Sequence, residues 1–141
     1  MSVTAAYLPQ GVHREPLQYT PEMSRRARGV EIWAALKSLG HPGLAELIER
    51  NCRQARHFAE ALRQGGCEIL NGVVLNQVLV SFGEDTRTRQ VIERVQQDGT
   101  CWCGPTEWHG RTAMRISVSS WATQDQDIER SVAAILRMAI A

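Results

Sequence analysis

Lysine is all but missing from this 141-residue sequence: of its sixteen Lys and Arg residues, only Lys37 is a lysine. An amine able to form an imine is therefore available at one side chain, because guanidinium does not do that chemistry. A charge excess is missing as well. Sixteen basic against fifteen acidic residues leave a net charge of +1, which gives no overall pull toward nucleic acid or an anionic membrane. No run approaches the ~20 apolar residues that span a bilayer. The amino terminus shows no basic segment followed by an apolar stretch, so it does not read as a secretory signal. The expectation is a cytoplasmic protein that contacts neither membrane nor nucleic acid. Its four cysteines, Cys52, Cys67, Cys101 and Cys103, are then reduced thiols. Internal repeats and low-complexity segments are also absent.

What is present is ordinary globular material, 43% hydrophobic and 22% charged, in a length that suits one domain with a real core. Residues Ser2 to Tyr19 show no clean period and read as an irregular arm. Thr20-Pro21-Glu22 has the marks of a helix start; the helix runs through Trp33 and Leu36 to about Leu39, where Gly40 and Pro42 stop it. A second helix carries Leu44, Leu47, Ile48, Cys52, Ala55, Ala59 and Leu62 on one face at helical spacing. Glu46/Arg50 and Glu49/Arg53 stand four apart on its other face, and Gly65-Gly66 ends it.

Strand signals follow: Cys67 to Leu70 before an Asn71-Gly72 turn, then Gln77 to Phe82. Asp85 can cap a helix containing Val91, Ile92 and Val95, and Asp98-Gly99 turns the chain into a strand over Thr100 to Cys103, broken by Gly104-Pro105. Thr112 to Ser119 reads as a strand, with Met114, Ile116 and Val118 on one side and Arg115, Ser117 and Ser119 on the other. Thr123 with Gln126 opens a last helix whose stripe is Ile128, Val132, Ile135, Leu136 and Ala139. The fold class is α+β, a mainly antiparallel sheet covered by helices.

Few residues suggest chemistry. Arg115 sits mid-strand in a polar stripe on a segment otherwise fit for burial. It is either a fork for a carboxylate or one more residue on a face open to water. Cys101-Trp102-Cys103 with His109 nearby has the wrong spacing for a zinc knuckle and reads as buried thiols, so no metal is expected. Arg14, Arg25, Arg26 and Arg28 could gather a phosphate, but no aromatic interleaving or nucleic-acid motif accompanies them. A solvated helix start fits them better. His41-Pro42-Gly43 reads as a loop and Lys37 as a surface lysine.

Two runs carry a resemblance. Tyr19-Thr-Pro-Glu-Met-Ser-Arg-Arg-Ala-Arg-Gly-Val-Glu-Ile-Trp33, with Leu36, Leu39-Gly40 and Gly43, is similar to the helix that leads into the small carboxyl-terminal domain of the pyridoxal-phosphate-dependent (group II) decarboxylases of glutamate and aromatic amino acids. Met114-Arg115-Ile-Ser-Val-Ser-Ser-Trp121-Ala-Thr123, followed by Asp127-Ile128, resembles the closing strand and last helix of that domain. The two runs stand in the family's order near the two ends of the chain, so the resemblance covers nearly all of it.

The resemblance implies the small carboxyl-terminal domain of a fold-type I enzyme over residues 20–141, preceded by the end of the catalytic loop and large domain in 1–19. It implies that Arg115 matches the arginine that meets a substrate carboxylate in glutamate decarboxylases. Tyr7, in Ala5-Ala6-Tyr7-Leu8, matches the mobile-loop tyrosine that acts as general acid toward the substrate carbon after carbon dioxide leaves. It further implies pyridoxal phosphate as cofactor, an amino-acid substrate, a large cofactor-binding domain as partner, and a homodimer for the complete enzyme. The departure is the cofactor lysine, normally preceded by histidine, which this sequence lacks; Lys37 lies in the wrong motif to replace it. The expectation is a carboxyl-terminal piece that does not decarboxylate alone. Its rivals are a non-catalytic interaction or regulatory module, the product of a truncated gene, and a metal or nucleic-acid binder.

Overall fold

The computed structural model of the chain describes residues 26–140. Tyr7, Arg14, Arg25 and the expected helix start at Thr20-Pro21 lie outside the described residues. The chain divides into two compact units, Met1–Leu39 and Gly40–Ala141.

Within the first unit, Arg26 to Arg28 are not helical and α1, Gly29–Gln64, begins after them. The expected helix is therefore not continuous through residues 26–28. Arg26 instead forms an ion pair with Glu31 in the first turn, where an acid also complements the helix dipole. Val30, Ile32, Trp33, Leu36 and Leu39 are exposed. The expected stop at Gly40 is real: its φ of 63° and ψ of −176° break the helical path inside α1. His41-Pro42-Gly43 is helical rather than a loop, because a proline directly after such a break occupies a first turn, where its missing N–H costs nothing.

The second unit is a four-stranded antiparallel sheet with helices packed against it. Residues 40–64 complete α1, which ends in a Schellman motif: Gly66 has a φ of 86°, Gly66 N–H donates to Arg63 O and Cys67 N–H to Leu62 O, both at 3.0 Å. These bonds satisfy carbonyls that the helix end would otherwise orphan. Strand β1, Glu68–Ile69, pairs with β2, Gln77–Ser81. The connection between them is not a tight Asn-Gly turn. Asn71 instead accepts the Leu79 N–H at 2.8 Å and donates to Gln77 O at 3.1 Å.

Helix α2, Asp85–Asp98, follows. Asp85 does not cap it; the N-cap is Glu84, without a side-chain bond, because the Asp85 carboxylate accepts the Thr112 N–H instead, at 3.0 Å. Gly99, at φ 74°, closes the helix by donating to Val95 O. The expected strand over Thr100 to Cys103 does not form; strand β3 is Gly104–Trp108, across the expected Gly104-Pro105 break. Proline is tolerated there because β3 is an edge strand. His109 and Gly110, at φ 50° and 75°, make the two-residue hairpin turn into β4, Arg111–Ser117. Two positive φ values are what a type I′ turn requires.

The strand order is β1-β2-β4-β3. Helix α3, Asp125–Ile140, closes the chain. Its entry is one residue later than the Thr123/Gln126 box implies: the Asp127 carboxylate accepts the Gln124 N–H at 3.0 Å.

One sheet face builds the core. Val78, Val80, Met114, Ile116 and Val118 meet Ala55, Phe58, Ala59 and Leu62 of α1, Val91, Ile92 and Val95 of α2, and Ile128, Val132 and Ile135 of α3. Burying each such side chain contributes roughly 1.5–3 kcal/mol. All helices whose side chains enter this core lie on that one face.

Candidate functional site

The face of the sheet turned away from that core carries the polar stripe. Alternation along β4 puts Arg111, Ala113, Arg115 and Ser117 there. The register sets Arg115 opposite Leu79 of β2 and opposite Gly104 of β3, and Ser117 opposite Gln77. Arg115 is exposed, whereas Leu79, Ser81 and Ala113 on the same face are buried. Gly104 has no side chain, and nothing lies within 4 Å of where one would stand, so the guanidinium has open space beside it. Among the described residues no ion pair involves Arg115. Arg115 is thus an exposed cation on a central strand, on the sheet face away from the helices that build the core, an arrangement that can receive a carboxylate by the guanidinium fork.

The other end of the stripe is occupied. Arg111 holds Glu68 by two hydrogen bonds, at 3.0 and 2.6 Å, and reaches Ser81 Oγ at 3.2 Å. Hydrogen bonding from Arg111 keeps the Glu68 carboxyl below its usual range. This pair ties β1 to β4 across β2 and leaves Arg111 engaged, so the two arginines of the stripe are not equivalent.

Close to Arg115, the ends of β2 and β4 are locked together: Asn76 Nδ2 donates to Val118 O at 3.0 Å, and Val118 N–H donates to Asn76 O. The following loop is fastened to α1 by Arg50, which donates to Trp121 O at 2.7 Å, and by Gln54, which donates to Thr123 O at 3.1 Å. Although Glu46/Arg50 and Glu49/Arg53 stand four apart, neither pair is among the ion pairs of the described residues. The buried Asn51 and Gln54 were not legible as core positions; the only sequence signal was their place in the i, i+4, i+7 stripe that continues through Ala55 and Phe58.

The remaining candidates do not converge. Cys101 is half-buried and Cys103 buried, both as free thiols. Burial lifts the Cys101 thiol and pushes Cys103 up to about 12. His109 sits in the β3–β4 turn, edge-on to Trp108. Among the described residues no group of three His, Cys, Asp or Glu side chains could hold a metal ion. No described helix is long and apolar enough to cross a membrane.

The residues described here do not fit pyridoxal phosphate. The sole lysine, Lys37, is exposed on α1. Nothing in this part of the chain supplies the amine that would hold the cofactor.

No protein-family model matches the chain. Several curated proteins are similar to it. The 3,4-dihydroxyphenylacetaldehyde synthase of Aedes aegypti is 26% identical over 125 residues, which is 85% of this chain and 24% of that protein. The histidine decarboxylase of Drosophila melanogaster is 28% identical, over 84% of this chain and 14% of its own length. The aromatic-L-amino-acid decarboxylase of Drosophila lebanonensis is 30% identical, over 77% of this chain and 28% of its own length. Among solved structures, Oryza sativa TDC with PLP and tryptamine superposes with a TM-score of 0.74 at 20% identity, over 85% of this chain and 28% of that one. Catharanthus roseus tryptophan decarboxylase in complex with L-tryptophan gives 0.75 at 19% identity, over 88% and 29%. These superpositions establish the fold. The chain spans only 14% to 28% of the length of these curated relatives, and the part it matches is carboxyl-terminal.

Proposed function

Because the chain is related to the carboxyl-terminal part of the pyridoxal-phosphate-dependent group II amino-acid decarboxylases, we propose that it serves as the small domain of such a carboxy-lyase and does not decarboxylate by itself. Pyridoxal phosphate, when bound by a large domain, supplies the electron sink for loss of carbon dioxide. The residues of this chain contribute binding and, in one case, a proton. Arg115 receives a carboxylate of the amino-acid substrate through its guanidinium. The carrying observation is its exposed position on β4, on the face away from the core helices and opposite Gly104. Tyr7, outside the described residues, is the general acid of the loop, delivering its phenolic proton to the substrate carbon. The complete enzyme is a cytoplasmic homodimer.

The test begins with the coding sequence directly upstream of Met1. An adjoining reading frame with a His-Lys pair provides the large domain. The two polypeptides, mixed or joined, then release carbon dioxide from an amino acid. Arg115→Ala lowers kcat/KM by the worth of a charged hydrogen bond, about 1.5–3 kcal/mol, or roughly ten- to a hundredfold. Unchanged activity removes Arg115 from the site.

A second reading, a non-catalytic interaction module, is favoured by one feature. Val74, Leu75, Trp102 and Trp121 are all more than 60% exposed, on the segments before β2, before β3 and after β4. Large apolar side chains left exposed can serve association. A monodisperse monomer that binds no hydrophobic dye counts against this reading.

A further inference from the structure

We draw no further inference here: the strongest candidate, the exposed apolar stripe of Ile32, Trp33, Leu36 and Leu39 along the amino-terminal part of α1, is an unpartnered helix face, and nothing in the structure shows what covers it.

Discussion

Arg115 stands directly opposite Leu79 across the β2–β4 ladder, and the two are unequal: Leu79 is 6% exposed, while Arg115 is open to solvent. Their substitutions should separate cleanly. Arg115→Ala removes an exposed side chain with no ion pair among the described residues and should change stability by no more than ~0.5 kcal/mol. Leu79→Ala empties a buried position and should cost about 2–5 kcal/mol. Urea unfolding of the two variants measures both values. A large loss in the Arg115 variant would make that residue structural and undo its assignment to a substrate.

The bond from Thr112 N–H to Asp85 Oδ1 ties α2 to β4 and gives stability an acid limb. It holds the Asp85 carboxyl below its ordinary value. A depressed folded pKa contributes stability that is present above the unfolded value, near ~3.9, and is lost as pH falls through the folded one. Asp85→Asn should therefore melt lower than the parent at pH 7, and the gap should narrow as pH drops below about 4. Thermal melts across that range test it; a gap independent of pH would contradict it.

Gly65 is a close-approach glycine: a Cβ there lands on the Leu136 side chain of α3. Gly65→Ala should cost about 1–3 kcal/mol through overpacking. Trimming the obstacle should rescue it, so that Gly65→Ala combined with Leu136→Ala is less destabilised than the two losses added together. A double-mutant cycle reads this coupling directly; strict additivity would place the strain elsewhere.

The thiols should react in a fixed order. Cys103 is 2% exposed, and burial pushes its pKa up to about 12, so almost no thiolate exists at pH 8. Iodoacetamide should modify native Cys103 only as fast as the domain opens, and the half-buried Cys101 sooner. Peptide mapping against time gives the order. Rapid native labelling of Cys103 would mean that the segment before β3 is open.

The sequence made the core strands and two helix ends legible because their signals are local. The alternation of Met114, Ile116 and Val118 and the left-handed turns at Gly66 and Gly99 need no partner to be read. The Gly104–Trp108 strand was hidden because proline reads as a breaker until the strand is known to lie at an edge. Asp85 was misread as a cap because its real partner, Thr112, lies 27 residues away. The carbonyl of Trp121 that Arg50 reaches lies 71 residues away and is equally invisible locally. Arg115 was singled out on alternation alone. Its neighbours, Leu79 and Gly104, came only with the register.

The most direct test of the central claim is carbon dioxide release by the purified chain. The chain is incubated with pyridoxal phosphate and carboxyl-labelled glutamate, tryptophan or histidine, alone and then with a large cofactor-binding domain. The account predicts no release from the chain alone, no borohydride-reducible cofactor adduct at Lys37, and release that depends on Arg115 once the large domain is present. Steady release of labelled carbon dioxide by the chain alone would contradict it.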